Sequence, residues 1–220
     1  MVQHRFTAAI SEEALKDEIN KIAAITASDG IIVQLPLPQT LNMQAVLDVI
    51  PTAKDVDMLS TVSMALFRDE KAVIIPPVAG AVKEILDSAN IKVHGEEVLV
   101  LGFGQLVGKP VSILMRHNGA HVTVIDKPVS DLALHVSEAL VVISGTGSPR
   151  LVTKAMVNAR HVLIDAGTSE SDGKLVGDID PDAAGTAALF TPVPGGVGPI
   201  TVAMLMRNLC ILARERMKAE

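Results

Sequence analysis

Tyrosine and tryptophan are absent from this chain of 220 residues, phenylalanine occurs four times and cysteine once. A lone Cys210 excludes a disulfide framework and points to a reducing compartment. Its neighbours Leu209, Ile211 and Leu212 place it as a core side chain rather than a nucleophile. Positive charge is scarce too. Only 19 lysines and arginines stand against 25 acids, a net charge of -6, and they are scattered rather than clustered. A nucleic-acid surface needs a basic patch to neutralise phosphates, so small molecules are the expected partners. No apolar run approaches the roughly 18 residues that span a bilayer, and the opening MVQHRFTAAISEE lacks the apolar stretch of a signal peptide. The expectation is a cytoplasmic protein without membrane contact. His4, His94, His117, His121, His135 and His161 show no metal-ligand spacing. The last five are expected at the surface or at element ends.

What is present is apolar residue in quantity, 49% of the chain, enough for one substantial core or two modest ones. Ser11 can cap a helix that carries Glu12 and Glu13 in its first turn and Leu15, Ile19, Ile22 and Ala23 at helical spacing, reaching about Ala27. Asp29-Gly30 then turns into IIVQLPLP, read as a buried strand over 31–35 that prolines end. LNMQAVLDVI reads as a short helix, TAKDVDMLS as a polar loop, and Val78 to Asp87 as a third helix.

After Gly95 the pattern changes. EVLVLG, HVTVID, LVVISG and HVLIDAG are short Val- and Ile-rich runs, separated by helical stretches at 107–118, 131–137 and 153–158. Strands alternating with helices imply right-handed crossovers and a parallel sheet covered on both faces. The expected fold class is α/β, with a Rossmann-like doubly wound sheet over 89–190. A second α/β domain is expected from 1–88 plus 191–220. The last helix is expected to bury Val202, Leu205, Met206, Leu209, Leu212 and Ala213 on one face.

VLVLGFGQLVGKP sets Gly102, Gly104 and Gly108 directly after the first strand of that sheet, at the start of a helix. There a backbone without Cβ atoms can turn tightly and approach a pyrophosphate, whose charge sits at the positive helix end. The spacing is GxGxxxG rather than GxGxxG, and a plain strand-to-helix turn is the alternative. Asp126 strengthens the nucleotide reading: it ends the second strand about 20 residues on, where a carboxylate accepts hydrogen bonds from a ribose. The alternative for Asp126 is a cap before Pro128. A carboxylate there repels a 2'-phosphate, which favours NAD over NADP.

VQLPLP, KDVD, VGKP, DGKLVGDID and TPVPGGVGPITVAML resemble, in order and spacing, the bifunctional methylenetetrahydrofolate dehydrogenase/cyclohydrolase family. The likeness runs from about residue 10 to the end. It implies a folate domain facing a Rossmann domain across a cleft, a tetrahydrofolate derivative as substrate and a homodimer formed through the Rossmann domain. It implies that Gln34 and Asp57 position the pterin or substrate, and that Pro194, Gly195 and Gly196 line the place where folate and nicotinamide meet. Gly102, Phe103 and Gly104 match the cofactor turn, and Thr168 takes a position near the nicotinamide. A satisfied buried amide is the alternative for Gln34, an ordinary loop acid for Asp57, and a solvated loop lysine is expected for Lys54.

Several positions depart from the family. Its catalytic tyrosine and lysine, spaced Y-x-x-x-K, lie upstream of the region where this chain begins, so no catalytic residue is assigned. An incomplete substrate domain with an exposed apolar edge is expected to follow. Phe103 and Gly104 replace an arginine and a serine suited to a 2'-phosphate, and Asp126 replaces a histidine. IPPVAG at 75–80 and Met58, in place of a glycine, alter the folate pocket. The expectation is a nicotinamide-linked oxidation of methylenetetrahydrofolate with an impaired hydrolytic step. A non-catalytic nucleotide- or folate-binding relative, or a gene fragment acting with a partner, is the alternative. An unrelated NAD oxidoreductase on the same sheet is disfavoured, because no His or Tyr follows the strands as a hydride-coupled acid.

Overall fold

The computed structural model describes residues 1–171 and 173–219. It divides into two compact units: Met1–Pro76 with the segment beginning at Leu205, and Pro77–Met204. The boundaries expected from sequence, 88 and 191, differ from this division in assigning the third expected helix and the start of the last one to the first unit.

In the first unit α1 (Glu12–Ala23) starts as expected, with the Ser11 hydroxyl accepting from Ala14 N. It ends four residues earlier than expected, because the carbonyls of Ala23 and Ile25 accept from the Lys54 ammonium, at 2.7 and 2.8 Å. The strand expected over 31–35 does not form. Only Ile31 pairs, in one isolated bridge with Asp55, since Pro36 and Pro38 cannot donate to a ladder. Helix α2 (Met43–Leu47) is capped by Asn42. Helix α3 (Thr61–Arg68), capped by Ser60, is missing from the sequence reading because its eight residues follow directly on the polar loop. Leu15, Ile19, Ile31, Val46, Leu47, Ile50 and Leu59 form the core.

The long helix α7 (Val197–Ala219) crosses from one unit's sequence into the other's. Its burial does not follow the expected stripe. Val202 and Met206 are 61% and 43% exposed, and Cys210 is exposed rather than in the core. The reason is a polar anchor: buried Asn208 donates to the carbonyls of Val56 and Ile75 at 2.9 and 2.8 Å, which turns Asn208 and Leu212 inward. Over Val197–Lys218 this helix is long and apolar enough to cross a membrane by length and composition, although polar residues interrupt its apolar run.

In the second unit α4 (Pro77–Ser88) precedes the alternating elements β1 (Glu97–Leu101), α5 (Gly108–His117), β2 (His121–Ile125), α6 (Leu132–Glu138), β3 (Val141–Ser144) and β4 (Val162–Asp165). A short hairpin, β5 (Ser169–Ser171) with β6 (Lys174–Val176), and a last strand β7 (Leu189–Thr191) complete it. The main sheet is parallel in the order β2-β1-β3-β4-β7. The interior strands β3 and β4 are buried at every residue, as continuous Val/Ile/Leu runs demand, whereas edge strand β2 is not. Sequence reading missed β5, β6 and β7, each three residues long. It expected a helix over 153–158, where only a 3-10 turn, Lys154–Met156, occurs. His161, expected at the surface, is fully buried, and burial lowers its pKa.

Candidate functional site

The order β2-β1-β3 reverses direction between β1 and β3, and ligands bind doubly wound sheets outside the carboxyl ends of strands at such a switch point. Two glycine-rich loops leave the sheet there, 102–107 after β1 and 145–148 after β3. Gly102 has φ +86 and donates to Ile125 O at 2.7 Å. A Cβ on Gly102 would lie 2.8 Å from Gly145 O, and one on Gly108 would lie 2.0 Å from Gly102 O. Both positions therefore exclude side chains, as the close turn requires. A Cβ on Gly104 would meet nothing within 4 Å. Helix α5 begins at Gly108 with no side-chain cap; Lys109 N donates to Gly104 O at 3.0 Å and Pro110 has no N–H, so an anion there would meet chiefly the positive end of the helix dipole.

Asp126, just past β2, sends Oδ1 back to accept from Phe103 N at 2.7 Å. The carboxylate is thus tied to the turn while its side chain stays exposed. The structure brings Gly102, Phe103, Gly104, Gly108 and Asp126 together. Thr168 lies exposed in the short loop between β4 and β5, three residues past Asp165; next to it Ser169 Oγ donates to Gly147 O at 2.7 Å, which ties this segment to the loop after β3. Pro194, Gly195 and Gly196 form the turn from β7 into α7. The Val193-Pro194 bond is cis, Gly195 has φ +108, and Gly196 N donates to Pro192 O.

Two buried acids went unread in the sequence. Asp165, at the end of β4, accepts from Gly167 N, Asp178 N and Ile179 N. Asp178 accepts from Ser144 Oγ, Thr146 N, Thr146 Oγ1 and Gly147 N. Burial pushes the Asp165 carboxyl up to about 6, against the pull of its backbone donors. The available signal is an acid with a glycine within two residues, Asp165 in IDAG and Asp178 in VGDID.

The folate residues inferred from resemblance lie in the first unit. Gln34 is exposed and donates to Leu35 O, so it is not the buried amide of the alternative reading. Lys54 is not a solvated loop lysine either, because its ammonium closes α1. Asp55 is buried and accepts from Leu59 N and Ser60 N. Asp57, half-buried, is raised to about 6 by burial and secondarily by the Asp55 charge. Met58 takes φ +56 and is 2% exposed; a glycine would adopt this conformation without strain.

Residues 76–217 match the tetrahydrofolate dehydrogenase/cyclohydrolase NAD(P)-binding domain, and residues 1–57 match that family's catalytic domain. The chain belongs to the tetrahydrofolate dehydrogenase/cyclohydrolase family. Bifunctional protein FolD of Hydrogenobaculum is 40% identical over 214 residues, covering 96% of this chain and 77% of the relative. The Staphylococcus aureus (strain Newman) protein of the same name is 36% identical, over 94% and 73%. Among solved structures, the Trypanosoma brucei dehydrogenase-cyclohydrolase, complexed with NADP cofactor and inhibitor, superposes with a TM-score of 0.90 at 36% identity, covering 96% of this chain and 75% of that one. The Campylobacter jejuni bifunctional enzyme gives 0.91 at 30% identity, over 95% and 75%. The parallel sheet is therefore that of a family that joins an NAD(P)-binding domain to a tetrahydrofolate dehydrogenase/cyclohydrolase catalytic domain.

Proposed function

We propose that this chain oxidises 5,10-methylenetetrahydrofolate to the 5,10-methenyl form with NAD, and that its hydrolysis of the methenyl product to 10-formyltetrahydrofolate is weak. The observation that carries the cofactor choice is the Asp126 carboxylate, anchored on Phe103 N at 2.7 Å. With Oδ1 fixed, the second oxygen and the negative charge stand at the ribose position, where they accept from hydroxyls and repel a 2'-phosphate. The turn itself fits a dinucleotide: the space on the Cβ side of Gly104 is open, and no side chain caps the α5 N-terminus.

A bound nicotinamide would supply the hydride acceptor for the methylene carbon, and the substrate would be left as a methenyl amidinium cation. That step needs alignment and exclusion of water more than a proton acceptor. The glycine turn would hold the pyrophosphate and Asp126 the ribose, with Thr168 on the nicotinamide side. Asp57 and Gln34 orient the pterin. Hydrolysis differs, because water must add and a ring nitrogen must leave, and both events need proton transfer. The chain contains no tyrosine. Lys54, the lysine closest in sequence to Asp57, is held by two carbonyls.

Replacing Asp126→Ser tests the cofactor choice. The expected outcome is a fall in kcat/KM with NAD and a rise with NADP; unchanged preference would remove the basis of the assignment. The protein is further proposed to form a homodimer through the second unit, supported by the unpaired edge of β2. Sedimentation at a mass near twice the chain's 23.1 kDa is expected, and a monomer at micromolar concentration would exclude it.

A further inference from the structure

Asp178 lies outside the dinucleotide turn and has no place in the hydride step, yet it is the most heavily engaged carboxylate among the described residues. It is fully buried. A single oxygen, Oδ2, accepts from Ser144 Oγ at 2.7 Å, Thr146 N at 2.7 Å, Thr146 Oγ1 at 2.9 Å and Gly147 N at 3.3 Å. Oδ1 is buried with no hydrogen-bond partner. A buried polar atom without a partner is costly, so the side chain is held by what Oδ2 does.

All four donors belong to the end of β3 and the loop that follows. This loop is the far wall of the dinucleotide turn: Gly145 O lies where a Cβ on Gly102 would come within 2.8 Å, and a Cβ on Gly145 would meet Val107 Cγ1 at 2.4 Å. The Thr146 hydroxyl, having donated to Asp178, accepts from Ser148 N at 3.1 Å, which carries the constraint one residue further. Asp178 is fixed in turn, because Asp165 Oδ1 accepts from its backbone N and Oδ2 from Ile179 N. Two glycines keep the space for these acids. A Cβ on Gly167 would sit 2.1 Å from Asp178 Cγ, and one on Gly177 would sit 2.1 Å from Asp165 Oδ2.

We infer that Asp178 is a positioning residue for the nicotinamide cofactor, setting the 145–148 loop against the Gly102 turn so that the switch-point crevice has its binding shape before the dinucleotide arrives. The inference rests on the dinucleotide reading of that crevice. Charge-assisted bonds to backbone N–H groups are about twice as strong as neutral ones, so an amide at 178 loosens the loop while keeping its shape. The chain is predicted to hold cofactor through this second layer, and folate without it.

The test is equilibrium binding of NAD and NADP to the full chain, with steady-state KM and kcat, for wild type, D178N, D178A and S144A. Dinucleotide Kd and KM are expected to rise about fivefold or more in D178N, and further in D178A. At saturating cofactor, kcat and folate KM should stay within about twofold. S144A, which deletes one donor to the same oxygen but leaves Thr146 and Gly147 bound, should lose stability without this rise in Kd. If D178N is folded with wild-type Kd, the inference is overturned. It is overturned equally if D178N and S144A weaken cofactor and folate alike, the signature of a merely structural role. Should D178A fail to fold, the D178N and S144A pair decides. If wild type itself binds neither dinucleotide, the failure belongs to the cofactor reading and not to Asp178 alone.

Discussion

Replacing Gly108→Ala gives a direct test of how the glycine turn is built. The added Cβ would stand 2.0 Å from Gly102 O, 2.7 Å from Gly102 C and 2.9 Å from Phe103 Cα, whereas real Cβ contacts essentially never fall under 3.0 Å. All three atoms are backbone, so no rotamer change relieves the clash. Overpacking that side chains can absorb costs about 1–3 kcal/mol, and here the chain must move by about an ångström, which puts the cost near or above the top of that range. The same movement pulls on the Gly102 N to Ile125 O bond and on Phe103 N, where Asp126 is anchored. Gly104→Ala is the control: nothing lies within 4 Å of its Cβ, and its φ is outside the left-handed region. Denaturation and NAD titration of both variants separate the two roles. Gly108→Ala should lose about 3 kcal/mol and at least about tenfold in cofactor affinity. Gly104→Ala should keep its stability within about 0.5 kcal/mol and lose only affinity, by blocking the open face. Wild-type stability and affinity in Gly108→Ala would refute the reasoning.

Two further predictions concern buried groups. Asp165 is 1% exposed and its carboxyl is raised from an ordinary 3.8 to about 6; the folded state therefore binds this proton more tightly than the unfolded chain. The group's contribution is complete below about pH 4 and lost as pH rises through about 6, a change of about 3 kcal/mol. Denaturation from pH 4 to 6 should show a steeper loss in wild type than in Asp165→Asn, where Asp57, also raised to about 6, still contributes; equal slopes would contradict it. Met58→Gly removes the left-handed strain of roughly 1–2 kcal/mol but also deletes a side chain that is 2% exposed, for which truncation costs about 2–5 kcal/mol. Net destabilisation is expected in urea denaturation, and a gain in stability would show that the side chain is not anchored.

The second unit was largely legible in the sequence because its strands are continuous Val/Ile runs and its helices intervene at regular spacing. β1, β2, β3 and β4 fell where HVTVID and its counterparts placed them, and the glycines with Asp126 came together as the motif required. What failed lacked local signal. The three-residue strand β7 is specified by its place beside β4, not by its composition. IIVQLPLP has the residues of a strand but no neighbouring strand beyond the bridge at Asp55. The inner face of α7 differs from the one hydrophobic spacing predicts, because Asn208 sets it through two carbonyls distant in sequence. Lys54 was likewise read by its polar surroundings, although the carbonyls it closes lie 31 and 29 residues away. Asp165 and Asp178 are both acids in apolar runs, and only the folded loops show which backbone donors justify their burial.

The measurement that bears most directly on the central claim is a turnover assay of the purified chain with 5,10-methylenetetrahydrofolate and NAD or NADP in turn, following reduced nicotinamide and methenyltetrahydrofolate separately. The account predicts reduced nicotinamide with NAD in preference to NADP, and methenyl product that accumulates because its hydrolysis lags. Preference for NADP, hydrolysis that keeps pace with oxidation, or no turnover by folded protein with either cofactor would contradict it.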